Sequence, residues 1–356
     1  MNTHILIDEK IPFIQGIIEK LPFPGGVTVE YLPAAAMTPE RVKDCDALVI
    51  RTRTHCDEQL LAGSHVKFIA TATIGFDHID TAYCARQGIV WKNAPGCNAD
   101  SVAQYMESVF YLLSEHLNRP LPDFSLGIVG VGHVGSRVEA LAHRLGMRVF
   151  LCDPPRAREE KEEKNKFITL DEIARNADII TFHTPLTRTG EDATFHLADE
   201  SFFSERLRPG SVIVNTSRGE VVDNEALLRA LKTGRVKEAV IDVWEHEPHP
   251  LPELLEQAFI ATPHIAGYSA DGKANATRMS LESLCRFFQI PLSAIPPITP
   301  PAPPVCRFPA GSTPAEQALF TYDPRRDSRA LKENPEAFEA QRSNYPLRRE
   351  RKAYSE

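Results

Sequence analysis

Three short polar segments supply the residue types of a proton-transfer site: Asn215–Gly219 (NTSRG), Asp242–Pro248 (DVWEHEP) and Thr262–Ser269 (TPHIAGYS). They contribute Arg218, Glu247 and His264. An imidazole titrates near neutrality and can take a hydroxyl proton as a general base. A carboxylate beside it orients the ring and favours its protonated form. A guanidinium offers a fixed fork of donors to a substrate carboxylate and to charge developing on oxygen. With a hydride acceptor in place, such a set suits oxidation of a 2-hydroxy acid.

The acceptor has its own signature upstream. Leu126–Gly135 (LGIVGVGHVG) places Gly130, Gly132 and Gly135 directly after an apolar strand-like run and at the start of an apolar helix. The first glycine permits the tight turn, the second lets the backbone reach a pyrophosphate, and the third allows close helix packing. His133 and Val134 then begin a helix whose N-terminus favours phosphate charge. Asp153, at the end of the next apolar run, is placed to accept hydrogen bonds from ribose hydroxyls and to repel a ribose phosphate. That favours NAD over NADP, although Arg156 stands close by.

These residues need a scaffold that gathers strand ends. In the first ninety residues, His4–Ile7, Val27–Tyr31, Ala47–Ile50, Phe68–Thr71 and Gly88–Trp91 are short apolar runs separated by helix-like stretches, the pattern of a parallel α/β sheet. From Asn98 to Leu117 apolar residues recur near the helical period, predicting a long buried helix that bridges two units. A second series follows, with Ser125–Gly130, Arg148–Cys152, Ile179–Phe182, Ser211–Asn215, Ala239–Val243 and Phe259–Ala261 as strands, each followed by a helix. Two doubly wound α/β units in tandem predict a cleft, and parallel strands bring Arg218, Glu247 and His264 to one carboxyl edge. His183, in Thr181–Pro185 (TFHTP), is the strongest competing histidine, but it reads as a packing residue at the cofactor crevice.

The remaining segments carry less. Arg156–Lys166 is a charge run that reads as a solvated loop or exposed helix. Residues 291–304 are so rich in proline that they predict an extended linker. About 307–356 is arginine-rich and too short for a large core of its own, so it is expected to pack on another chain or on the first unit. The formal charge of −8 excludes a net attraction to nucleic acid or an anionic membrane surface, so an anionic substrate must be caught by local arginines. No leader-like or membrane-spanning apolar stretch is apparent, which points to a soluble, cytoplasmic protein. The 7 cysteines are scattered, without a CxxC pair, and read as reduced thiols; Cys97 and Cys152 lie beside the site as small buried residues. No ligand spacing suggests a metal.

The ordered glycine turn, NTSRG, DVWEHEP and TPHIAGYS together resemble the D-2-hydroxyacid dehydrogenases over about residues 45 to 290. The resemblance implies a flavodoxin-like substrate domain (1–95 with 266–290), a Rossmann NAD domain (96–265), a proline-rich linker (291–306) and a C-terminal dimerisation domain (307–356). It matches Arg218, Glu247 and His264 to the family's catalytic residues. It assigns Asp153, Thr184, Thr216, Ser217, Asp242 and Gly267 to NAD, and Thr52, Thr73 and Tyr268 to substrate. Thr52 stands where a serine is common, which keeps the hydroxyl. Ala70–Asp80, Ala94–Asn98, Cys152–Arg156, His264–Tyr268, Tyr322–Asp327 and Asn344–Glu350 are similar to a branch that oxidises a phosphorylated 2-hydroxy acid as a homodimer. The proline-rich join and short C-terminal segment depart from that branch, whose last domain is usually longer. Arg51 and Arg53 flank Thr52 at a strand end, and at least one is expected to grip the phosphate. The competing readings are a phosphoglycerate or glyoxylate dehydrogenase, which shares the catalytic parts, and a non-catalytic NAD-sensing corepressor, which would not need an aligned base.

Overall fold

The computed structural model describes residues 2–160 and 166–355. They divide into two compact units, Met1–Asn98 with Ser269–Ala302 and Ala99–Tyr268 with Pro303–Glu356. Both are α/β, and both carry an all-parallel sheet.

The first unit contains β1 (Thr3–Asp8), β2 (Val27–Leu32), α1 (Pro39–Val42), β3 (Ala47–Ile50), α2 (Glu58–Leu61), β4 (Phe68–Thr71), α3 (Thr81–Gln87) and β5 (Val90–Lys92), with strand order β2-β1-β3-β4-β5. Every residue of β3 and β4 is buried because the sheet is covered on both faces. Alternate side chains divide between the two layers. Ile5, Ile7, Val49 and Phe68 share one apolar cluster, while Leu6, Leu48, Ile50 and Ile69 share another. β5 begins two residues later than its apolar run, because Gly88, at φ 70°, closes α3 as a left-handed cap.

The second unit runs through α4 (Ala99–His116), β6 (Ser125–Val129), α5 (His133–Arg144), β7 (Arg148–Cys152), α6 (Pro154–Glu159), α7 (Leu170–Asn176), β8 (Ile179–Phe182), β9 (Ser211–Asn215), α8 (Asn224–Lys232), β10 (Val236–Ile241), α9 (Pro252–Gln257) and β11 (Ile260–Ala261). Its strand order is β11-β10-β9-β8-β6-β7. The chain then adds α10 (Ala270–Phe287) to the first unit and α11 (Pro314–Thr321), α12 (Pro324–Glu333) and α13 (Phe338–Ser343) to the second.

Four sequence expectations need correction or comment. No helix directly follows β8: residues 183–199 are irregular, apart from a lone bridge of Ala198 with Val222, up to the helical turn that leads into the π-helix Phe202–Arg206. Pro185 and threonine hydroxyls divert that backbone, with Thr194 donating to the Pro185 carbonyl at 2.6 Å and accepting from the Thr187 amide at 2.8 Å. Within the charge run, α6 is largely exposed and capped by Asp153, whereas residues 161–165 lie outside the described residues. A single 3-10 turn, Leu292–Ala294, interrupts the proline-rich stretch. The C-terminal segment packs on the second unit, not on the first. α11 lies on α4, where Ser108 donates to the Tyr322 carbonyl at 2.7 Å, and α12 covers edge strand β11, where Ser328 accepts from the Ala261 amide at 3.0 Å. The cysteines are free thiols, with only Cys306 exposed.

Candidate active site

Register gathers the candidate groups of the second unit. Cys152 pairs Val129, Val129 pairs Phe182, Phe182 pairs Asn215, Asn215 pairs Ile241 and Ile241 pairs Ala261, so all six strands end in one row. The residues that follow are Asp153, Gly130, His183, Thr216, Asp242 and Thr262. The strand order reverses at β6/β8, and in such sheets the crevice beyond the carboxyl ends at that point takes the ligand.

At this crevice the glycines have distinct tasks. Gly130 sits at φ 87°, and a Cβ there would lie 2.8 Å from the His183 carbonyl. A Cβ on Gly135 would lie 2.1 Å from the Gly130 oxygen, so α5 can start this close to the turn only with glycine at that position. Gly132 meets nothing within 4 Å, leaving its outer side open, and His133 after it is exposed. Thr184 Oγ1 is buried without a hydrogen-bond partner. An open glycine turn at a helix N-terminus beside an unsatisfied buried hydroxyl fits a pyrophosphate-bearing nucleotide. Asp153 accepts from the Val131 amide at 2.8 Å and the Arg156 amide at 3.1 Å, which ties β7 to the turn. Arg156 pairs with Glu160 and lies over Phe167 at 5.3 Å, so its charge is already engaged. Cys152 is buried and its thiol is pushed up to about 12, first by burial and then by Asp153.

Arg218, Glu247 and His264, the candidates for proton transfer, lie on the β9–β11 side of the same row. Glu247 Oε2 stands 2.9 Å from His264 Nδ1, with side chains 20% and 27% exposed. Burial alone would raise the Glu247 carboxyl, but the His264 ring, the Trp244 amide and Arg342 outweigh it and hold the group below its ordinary range. Arg218 follows β9 and is half-buried, its Nη1 donating to the Ser217 carbonyl at 2.8 Å. Asn215 shapes that turn: its Oδ1 accepts from the Ser217 amide and hydroxyl and its Nδ2 donates to the Arg218 carbonyl at 2.9 Å. His183 lies between the hydroxyls of Thr181 at 3.0 Å and Thr216 at 3.2 Å. Burial lowers it to about 3, so it is a neutral spacer between β8 and β9.

Sequence reasoning missed how the His264 loop is held. Asp242, carried over as a cofactor contact, is 1% exposed. It accepts from the Ile265 amide at 2.8 Å, the Ala266 amide at 3.0 Å and the Thr262 hydroxyl at 2.6 Å. Burial, its largest influence, raises this carboxyl despite those donors and the His264 ring. Gly219 was quoted only as part of NTSRG. A Cβ there would fall 2.0 Å from the Trp244 carbonyl, so this glycine lets the Arg218 turn pack on the segment that carries Glu247. Gly267 and Tyr268 are half-buried at the far end of the loop.

The first unit holds the remaining substrate candidates. Thr52 and Arg53 are exposed in a turn beyond β3, and Arg51 lies in the same segment, so strand alternation does not place the two arginines on one face. Arg51 Nε pairs with the fully buried Asp8 at 3.2 Å, which commits its charge inside the unit. Thr73, just past β4, bonds Thr71 Oγ1 at 2.7 Å and donates to the Gly75 carbonyl at 2.8 Å.

Comparison with known proteins decides the family. Residues 103–266 match the model of the D-isomer specific 2-hydroxyacid dehydrogenase NAD binding domain. Erythronate-4-phosphate dehydrogenase from Bacteroides fragilis is 57% identical over 350 residues, covering 98% of each chain. The chain belongs to the erythronate-4-phosphate dehydrogenase family. Members of this family are D-isomer specific 2-hydroxyacid dehydrogenases, and the chain is an NAD-dependent oxidoreductase. Among solved structures, the D-lactate dehydrogenase of Aquifex aeolicus complexed with NAD and lactic acid superposes with TM-score 0.64 at 27% identity, covering 80% of this chain and 95% of that one. The NAD-bound 3-phosphoglycerate dehydrogenase of Entamoeba histolytica superposes with TM-score 0.66 at 27% identity, covering 81% and 96%.

Proposed function

We propose that the chain oxidises 4-phospho-D-erythronate to (R)-3-hydroxy-2-oxo-4-phosphooxybutanoate with NAD, a step toward pyridoxal 5'-phosphate. The observation that carries the chemistry is the Glu247–His264 pair, seated on the same sheet edge as Arg218 and the glycine turn. Glu247 accepts from Nδ1–H and so leaves the Nε2 lone pair free to take a proton. His264 then removes the C2 hydroxyl proton, while Arg218 holds the carboxylate and the oxygen on which charge gathers. NAD supplies the acceptor for the C2 hydrogen, which leaves as hydride. Gly130, Gly132, His133, Val134 and Gly135 would hold the pyrophosphate and Asp153 the ribose, with Thr184, Thr216, Ser217, Asp242 and Gly267 completing the nucleotide site.

Thr52, Thr73 and Tyr268 are assigned to the substrate by resemblance. Arg51 and Arg53 are the candidate phosphate ligands, and Arg51 is held by Asp8 at 3.2 Å. We assign the protein to the cytoplasm and to a homodimer joined through residues 307–356, a reading supported by the exposed Phe320 in that segment. Purified protein should reduce NAD with 4-phosphoerythronate and not with 3-phosphoglycerate or D-lactate. Turnover of 3-phosphoglycerate alone would leave the family in place and remove the substrate assignment.

A further inference from the structure

One arginine of the C-terminal segment ends on the Glu247–His264 pair and another on the loop that follows His264. Arg342, on α13, places Nη1 3.6 Å from Glu247 Oε2 and donates from Nε to the Tyr268 hydroxyl at 3.3 Å. Its side chain is 25% exposed, a depth at which a cation is retained only with compensating partners. Arg348 lies over the Tyr322 ring at 4.1 Å and donates to the carbonyls of Ile265 at 3.2 Å and Ala266 at 2.6 Å. It also reaches the Ser101 carbonyl at 3.2 Å and Gln104 Oε1 at 3.0 Å, which anchors it to α4. The amides of the same two loop residues are taken by Asp242. The peptide units directly behind His264 are therefore gripped by an anion on one side and a cation on the other.

We propose that residues 338–350 are a working part of the reaction centre: Arg342 is a positioning residue that acts through Glu247 on the imidazole, and Arg348 with Asp242 fixes the loop that presents it. This rests on the reading of His264 as the base and Glu247 as its partner. The charged groups acting on the pair are Asp242 from the end of β10 and Arg342 from α13, with Glu339 on α13 facing Arg342. Without the Arg342 cation the imidazole faces two carboxylates, so its proton is held more tightly.

The test is a histidine ring titration by NMR on the full chain, alongside NAD reduction with 4-phosphoerythronate. Arg342→Gln should move the His264 midpoint and the acid limb of kcat/KM upward by about 0.5–1 pH unit, and Arg342→Lys should restore both. Arg348→Met should lower kcat by about tenfold or more and leave the midpoint in place. NADH binding by fluorescence checks folding, and Arg342→Met serves with the same expectation should the Gln variant fail it. An unmoved midpoint in a folded Arg342 variant overturns the role given to Arg342, and full activity in Arg348→Met overturns the role given to Arg348. His264→Ala separates the two levels: full activity there removes the base itself, whereas an inactive His264→Ala beside an unmoved midpoint removes only the part played by Arg342.

Discussion

Backbone conformation singles out His264 before its chemistry does. Its φ of 58° lies in the left-handed region, which costs a non-glycine residue about 1–3 kcal/mol. The Asp242 clamp on the next two amides offsets that cost. Asp242→Asn should leave one of those amides facing an NH2 group, costing about 1–3 kcal/mol in stability by denaturant unfolding and lowering kcat severalfold. His264→Ala should reduce kcat by about 10²–10⁴ with a smaller change in KM, in steady-state NAD reduction. Glu247 gives a pH expectation with a definite sign. Its carboxyl is lowered in the folded state, so its stabilising contribution is complete above the ordinary value of 4.5 and is lost as pH falls through the lowered one. The stability gap between the parent and Glu247→Gln should thus be full at neutral pH and close in strong acid, as thermal melts across pH would record.

Elements carry the nucleotide turn, and its three glycines should respond differently. Gly135→Ala drives a Cβ into the Gly130 oxygen and should both destabilise the protein and abolish NADH binding. Gly132→Ala meets open space at a negative φ, so its stability should stay within about 1 kcal/mol while NADH affinity, read by fluorescence titration, falls tenfold or more. Much at this scale was readable from the chain. Runs such as Ser211–Asn215 and Phe68–Thr71 are mostly apolar because both faces of a parallel strand are buried. The glycine turn was equally open to reading, since its spacing follows from steric needs within ten residues. The irregular stretch after β8 was not, because threonine hydroxyls there replace helix hydrogen bonds. The Asp242 clamp also escaped, as its partners lie 23 and 24 residues away with no periodicity linking them. Arg342 and Arg348 were read only as part of an arginine-rich segment expected to pack on another chain or on the first unit; their targets became visible only once α13 and the residues after it were placed.

Across the whole molecule, the C-terminal segment is structural as well as chemical. Its α11 and α12 cover α4 and β11, so removal of residues 307–356 should lower the melting temperature sharply and eliminate NAD reduction, as calorimetry and assay would show. Were residues 307–356 only a contact between copies, the shortened chain would instead keep its melting temperature, and sedimentation would read the change of mass. The bond from the Ala261 amide to Ser328 has a further outcome. β11 is the last strand of its sheet, and an uncovered outer rim of this kind can recruit a strand from another copy. A premature stop, or a protease nick in the proline stretch, would strip that cover and leave a sticky polypeptide prone to precipitate, not a smaller catalyst.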